Sequence, residues 1–341
     1  MRLALIMSHA DRSMTGALRE LHFLSRLRGM GVEAAAFRIH GGRAIERESF
    51  LDGAVDTIFC PEDLPAPPIP HRKTSAAMLE TLRGFAPDLL IFKGLSYDIN
   101  AFLLHGLGAG QRYGFIVGGS IRDRVLDGAE FVFGEYEEQL ERHFPAFAAR
   151  GRGYVMPKYI DLEATRPEPA APLHDIVNVG NFREARKNQA MLLPLTRDWR
   201  VALVGGGSPS EALRQGALSP GHLSLPGQLS HAQLFPLLKR CRLMVHCSTM
   251  DGLPRAMVEG MACGLPVIAC RDTVYGGLTD GTEGLLVERE ALLPAVEALL
   301  RDEPRRRRMG ESARALVERR HGPPAIGAAA ERFMAALAAR A

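Results

Sequence analysis

The sequence predicts an α/β protein of two doubly wound domains, and three observations carry that expectation. Short apolar runs of strand length alternate with amphipathic stretches along the chain, the pattern that builds parallel sheets covered by helices. The alternation halts in a stretch rich in proline and alanine, Leu162 to Asp175 (LEATRPEPAAPLHD), and then restarts. A length of 341 residues leaves room for two domains of ordinary size, each with its own core.

Composition narrows the class. Apolar residues make up 46% and charged residues 24%, the balance of a soluble globular chain. The formal charge of +3 gives no reason to expect nucleic acid, although a basic face can still attract phosphates or lipid headgroups. Cysteines stand at 60, 241, 247, 263 and 270, in no CxxC pair and mostly among apolar neighbours, which suggests reduced thiols. The apolar run in MRLALIMSHADR is too short for a signal peptide, and no stretch approaches the length of a membrane span. A cytoplasmic protein is expected, with contact at the inner face of a membrane left open.

Leu3 to Met7 reads as a first buried strand, followed by the polar loop SHADRSMTG and a helix from Ala17 with Leu18, Leu21, Leu24 and Leu27 on its inner side. Gly16 stands where loop becomes helix, a place where backbone can approach a ligand. His9 and Asp11 share that loop, and their plain reading is a solvated turn. Val32 to Ile39 and Val55 to Cys60 are the next strands. Glu62 to His71 is a proline-rich connection that could flank an acceptor. Strand Asp88 to Lys93, a helix through Asn100 to Leu107, strand Arg112 to Val117, strand Phe131 to Phe133 and helix Glu135 to His143 complete the first half.

The second half opens with strand Ile176 to Val179 and the turn Gly180-Asn-Phe-Arg-Glu-Ala-Arg-Lys187-Asn-Gln, read as leading into a helix. Arg183, Arg186 and Lys187 at a helix N-terminus would form a phosphate cradle, side-chain charge adding to oriented N–H groups. The plain alternative is a solvated basic turn. Val201 to Val204 runs into Gly205-Gly-Gly207, a triplet without dinucleotide-fingerprint spacing. Strand Leu223 to Gly227 and helix His231 to Cys241 follow. Leu243 to Ala269, LMVHCSTMDGLPRAMVEGMACGLPVIA, then reads as strand, polar loop, short helix and strand. Pro254 suits the first helical turn and Gly264 the C-terminal stop. Glu259 sits mid-helix among apolar neighbours, so its carboxylate needs a partner. Helices Ala291 to Leu300, Arg305 to Arg319 and Pro324 to Ala339 end the chain; the arginine run 305–308 splays around more than a helical turn and reads as a solvated helix start.

The stretch Asp251-Gly-Leu-Pro-Arg-Ala-Met-Val-Glu259 resembles the E-x7-E signature of retaining glycosyltransferases of the GT-B fold, family 4 type, with Asp251 in place of the first Glu. The turn from Gly180 to Lys187 resembles the family's Gly-Arg…Lys element. It departs in two ways: Asn181 stands where Arg is usual, and the run to Lys187 is longer by one residue, so Arg183 takes the missing role. Tyr154 to Asp161 resembles the strand and turn that close the family's first domain, and Gly276 to Val287 its last loop and strand.

The resemblance implies two Rossmann-like domains facing across a cleft: residues 1–165 for the acceptor, 166–320 for the nucleotide sugar, and 321–341 a helix returning to the first domain. It also implies site roles. Asp251 would bind donor-sugar hydroxyls and Glu259 the ribose, the alternative for Glu259 being a buried carboxylate tied to backbone N–H groups. Arg183 and Lys187 would face the diphosphate with the backbone of Gly252 and Leu253, beside Gly180 and Ser248. Gln228 and Leu229 would hold the base, and Gly16 belongs to the glycine-containing first loop. The histidine that the family often carries after its first-domain strand is replaced here by Gly118-Gly-Ser-Ile-Arg122-Asp123.

The implied reaction retains anomeric configuration and needs no cofactor beyond the nucleotide diphosphate sugar, a UDP- or GDP-sugar. No D-x-D triplet occurs in the sequence, so a bridging metal is not expected and positive side chains must meet the leaving-group charge. The acceptor, a glycan, lipid or small molecule, is not legible. A nucleotide-sugar epimerase and a binding protein that has lost transfer are the rival readings.

Overall fold

The computed structural model describes residues 1–8, 17–66, 69–118, 123–273 and 276–340. Gly16, His9, Asp11 and Arg122 lie outside the described residues. The chain forms two compact units: Met1–Tyr159 with Pro323–Ala341, and Ile160–Gly322.

In the first unit the chain runs β1 (Arg2–Met7), α1 (Arg19–Gly29), β2 (Glu33–His40), β3 (Glu46–Phe50), β4 (Val55–Pro61), α2 (Ala76–Phe85), β5 (Leu89–Lys93), α3 (Asp98–Leu107), β6 (Tyr113–Ile116), β7 (Phe131–Gly134), α4 (Glu137–His143), α5 (Pro145–Ala149) and β8 (Gly153–Val155). The eight strands lie in the order β3-β4-β2-β1-β5-β6-β7-β8, parallel apart from β3, which pairs antiparallel with β4. The order reverses between β1 and β5, the switch point at which open α/β sheets keep a ligand crevice beyond the strands' C-terminal ends. Strands such as LALIM and LLIF are apolar on both faces because helices cover both. β3, ERESF, lacks that pattern, as an edge strand with one neighbour can.

The second unit runs β9 (His174–Val179), β10 (Val201–Val204), α6 (Glu211–Gln215), β11 (Leu223–Gly227), α7 (His231–Leu238), β12 (Cys241–His246), α8 (Arg255–Ala262), β13 (Val267–Cys270), β14 (Gly284–Val287), α9 (Leu292–Arg301) and α10 (Glu303–Arg320). Its six-stranded sheet has the order β11-β10-β9-β12-β13-β14, and the switch falls between β9 and β12. The last helix, α11 (Pro323–Ala338), belongs to the first unit, where Phe333 packs among Phe23, Phe131, Phe133 and Tyr154.

Two local expectations change. The turn after β9 does not open an α-helix. It continues as 3-10 segments, Ala185–Lys187 and Gln189–Arg197, with Asn188 in the left-handed region and Pro194 inside the second segment. A proline has no N–H to give an α-helical ladder, which accounts for the looser winding. The proline-rich stretch after Tyr159 is strapped to the second unit: Arg314 donates to Leu162 O at 2.9 Å and Thr165 O at 3.2 Å, and Thr165 is fully buried. All five cysteines are free and buried, and burial pushes the Cys241, Cys247 and Cys263 thiols up to about 12. No helix among the described residues is long and apolar enough to cross a membrane.

Candidate active site

Two turns meet at the C-terminal ends of β9 and β12, the neighbours on either side of the second sheet's switch point. The first carries Arg183, Arg186 and Lys187. The second leaves β12 at His246 and reaches α8 at Arg255. They are knitted by hydrogen bonds: Cys247 Sγ donates to Lys187 O at 3.3 Å, Ser248 Oγ to Arg186 O at 3.0 Å, and Thr249 N to Arg186 O at 2.8 Å. Arg289 braces them from a third side, donating to Cys247 O and Ser248 O at 3.2 Å each while paired with Asp272.

Asp251 is the meeting point. Lys187 Nζ lies 2.7 Å from its Oδ2, Arg186 Nη1 3.1 Å from its Oδ1, and His246 Nε2 3.2 Å from its Oδ2. Burial works against the charged carboxylate, but His246 and Lys187 outweigh it and hold the Asp251 carboxyl well below its ordinary range. Arg186, one of the three cations of the basic turn, thus meets the Asp251 carboxylate beside Lys187. Arg183 is exposed, its aliphatic stem lying over Gly207, where a side-chain carbon would stand 2.6 Å from Arg183 Cγ. The glycine triplet thus serves close approach: a carbon on Gly205 would meet Gly180 O at 1.8 Å.

Glu259 sits on the inner face of α8, 3% exposed. Among the described residues its carboxylate is met by two side chains, Arg255 Nε at 2.7 Å and His231 Nε2 at 3.1 Å. His231 opens α7 and stacks on Phe235, ring centroids 4.9 Å apart. Pro254 is the N-cap of α8 with extended backbone, one place earlier than the first-turn position expected, and no side chain caps the helix. The first N–H groups of an uncapped helix have no intrahelical partner and can meet an anion. Gly252 precedes them, and Leu253 is buried against Gly277. Gln228 is exposed and lies over Gly206, and Leu229 is half-buried beside it.

His246, His231 and Arg255 carry no role in the sequence reading, and Arg186 enters it only as one of three cations on the basic turn. His246 and His231 end a strand and open a helix, and periodicity says nothing about which loop residue such a ring will face. In the first unit, Asp123 accepts from Val125 N at 3.0 Å and Ser96 Oγ at 2.7 Å, a turn cap. Among the described residues no group of three His, Cys, Asp or Glu side chains gathers as a metal site.

Residues 174–302, within the second unit, match the family model described as glycosyl transferases group 1. A curated relative, an uncharacterized glycosyltransferase of Methanocaldococcus jannaschii, is 29% identical over 123 residues, 34% of this chain and 35% of that protein. The match thus spans about a third of the relative's length. Among solved structures, sucrose-phosphate synthase from Thermosynechococcus elongatus superposes with a TM-score of 0.78 at 18% identity, covering 100% of both chains. HepE of Anabaena in complex with UDP-glucose gives 0.71 at 14% identity, covering 98% of this chain and 100% of that one. These likenesses show the fold: GT-B, with two Rossmann-like domains.

Proposed function

We propose that this chain is a retaining, metal-independent glycosyltransferase that moves a sugar from a nucleoside diphosphate sugar to an acceptor hydroxyl. The observation that carries the reading is the 2.7 Å contact between Lys187 and Asp251, which joins a cationic turn to an acidic loop at the mouth of a group 1 domain. The UDP and UDP-glucose seen with HepE support a UDP-sugar as donor.

In this reading the diphosphate lies against Lys187 and Arg183 with the α8 N-terminus at Gly252 and Leu253, beside Gly180 and Ser248. Glu259 takes the ribose hydroxyls and Asp251 the donor sugar, while Gln228 and Leu229 hold the base. The first domain, with the Gly16 loop, takes the acceptor. Lys187 and Arg183 stabilise the charge that grows on the departing phosphate. That phosphate accepts the acceptor's proton as the new glycosidic bond forms on the face the leaving group vacates. Catalysis then rests on positioning and electrostatics. We place the protein in the cytoplasm, with contact at a membrane face, in glycan, glycolipid or glycoside biosynthesis.

A thermal-shift panel of UDP, GDP, ADP and their sugars identifies the donor, because a ligand of the folded state raises its apparent stability. Release of nucleoside diphosphate is then followed with excess EDTA, and the anomeric configuration of the product is read by NMR. Full turnover with EDTA and a retained configuration are expected; turnover lost with EDTA and restored by a divalent ion, or an inverted product, overturns the mechanism. One observation favours a second reading, a nucleotide-sugar-binding protein without transfer: the Asp251 carboxylate is already engaged by Lys187 and Arg186. Saturable nucleotide affinity with no nucleoside diphosphate released to any acceptor decides for it.

A further inference from the structure

His246 is 4% exposed at the end of β12, a strand enclosed between β9 and β13. Its Nε2 has no hydrogen-bond partner among the described residues, yet Asp251 Oδ2 stands 3.2 Å away. The distance suits a bond and the alignment does not. Buried polar nitrogens without partners are rare, and site hydrogen bonds that are poorly aligned without ligand tighten when the ligand arrives.

We propose that His246 is a positioning residue for Asp251, its Nε2–H donating to Oδ2 when a donor sugar is bound and so fixing the carboxylate that meets the sugar hydroxyls. This rests on the glycosyltransferase reading and adds a residue to its donor site. The other holders of Asp251 differ in kind. Lys187 and Arg186 are long cationic side chains on the β9–β10 connection, and an arriving diphosphate competes for them. His246 has two side-chain torsions, is walled in by the sheet and cannot follow the phosphate. Charged groups around it come from every side: Lys187 and Arg186 on the turn, Glu184 paired with Arg186, and Arg289 braced on Cys247 O. The same strand end anchors the turn itself, through Cys247 Sγ on Lys187 O and Ser248 Oγ on Arg186 O. An aspartate is one methylene shorter than a glutamate, so the placement of its carboxylate depends more heavily on what holds it.

Calorimetry with UDP and UDP-glucose, or the equivalent pair for the base the panel selects, tests this on the full chain. His246→Leu should weaken UDP-glucose binding by about tenfold and leave UDP within about twofold, because only the sugar contact runs through Asp251. His246→Gln, whose amide can still donate, should recover most of the loss. In an Asp251→Asn background, His246→Leu should cost nothing further. An equal loss for UDP and UDP-glucose, or the same loss repeated in the Asp251→Asn background, would mean that the ring only packs and overturns the proposal. Where His246→Leu fails to fold, His246→Asn, too short to reach Asp251, is compared with His246→Gln on the same readouts. A wild-type chain that binds no nucleotide sugar overturns the glycosyltransferase reading and this proposal together; binding with the wrong variant pattern overturns the proposal alone.

Discussion

Asp251 and Glu259 flank the first turns of one short helix, yet they are held in different ways. Asp251 lies on a loop, 16% exposed, and its partners come from other elements: Lys187 and Arg186 from the β9–β10 connection and His246 from the end of β12. Glu259 lies inside α8, its side chain 4% exposed, with Arg255 from its own helix and His231 from the preceding one. A carboxylate held locally keeps its geometry whatever the turns around it do. One held by three separate attachments reports whether those turns are assembled, and its cations are the groups a diphosphate would take.

The largest effect is therefore expected on the Asp251 side. Lys187→Ala should lower turnover on the order of a hundredfold, about 3 kcal/mol, with a smaller loss of ground-state nucleotide affinity, since the charge it meets grows in the transition state. Arg183→Ala should fall in the same direction by less, its side chain being exposed and making no ion pair among the described residues. Arg186→Ala should lose only a few-fold, because Lys187 still holds the carboxylate that Arg186 shares. Steady-state kinetics on the three variants check the ranking. Arg186 proving essential with Lys187 dispensable would shift the cradle by one residue, and three silent variants would reduce it to a solvated basic turn.

Glu259→Gln should act on binding alone. Losing charge while keeping shape removes charge-assisted hydrogen bonds to a ribose, and about tenfold weaker nucleotide binding, roughly 1.4 kcal/mol, is expected. Glutamine keeps the shape of the side chain, and Arg255 is 29% exposed and within reach of water, so the fold should survive. Unchanged affinity by calorimetry would remove the ribose role.

The difference between the two carboxylates also marks how far the sequence could be read. Strands such as LALIM and VALV announce themselves because burial on both faces leaves an uninterrupted apolar run. Glu259 drew attention because a charge inside an apolar helix needs a partner, and Asp251 because its stretch resembles a family signature. β3 was not legible, since an edge strand reading ERESF satisfies one neighbour and shows water the rest. Nor were His246 and Arg186. Their roles depend on β9 and β12 lying side by side although well separated in the chain, and on a turn that winds as 3-10 because Pro194 forbids the helix its composition otherwise suggests.

The smallest expected effect concerns acid stability, and it separates Asp251 from other carboxylates of the chain through an accident of composition. The only tryptophan, Trp199, lies in the second unit, so its fluorescence follows the unfolding of that unit and not of the first. The Asp251 carboxyl is held below its ordinary value in the folded state, against about 3.9 in an unfolded chain. A depressed carboxyl stabilises above its unfolded value, where the folded state keeps the charge at no cost in protons. That contribution fades as pH falls below about 4 and toward the folded value, because the unfolded chain then binds a proton the folded one refuses. Asp251→Asn removes the titrating group and leaves Lys187, Arg186 and His246 facing an amide, so it should be less stable than wild type near neutrality. The two proteins should keep a constant difference in the midpoint of urea unfolding from pH 8 to about pH 5, then converge as Asp251 of the unfolded wild type gains its proton. Denaturation curves read at Trp199 across that range check it. A difference that stays constant below pH 4 would mean that the three attachments contribute packing rather than charge, and the contrast with Glu259 would lose its electrostatic basis.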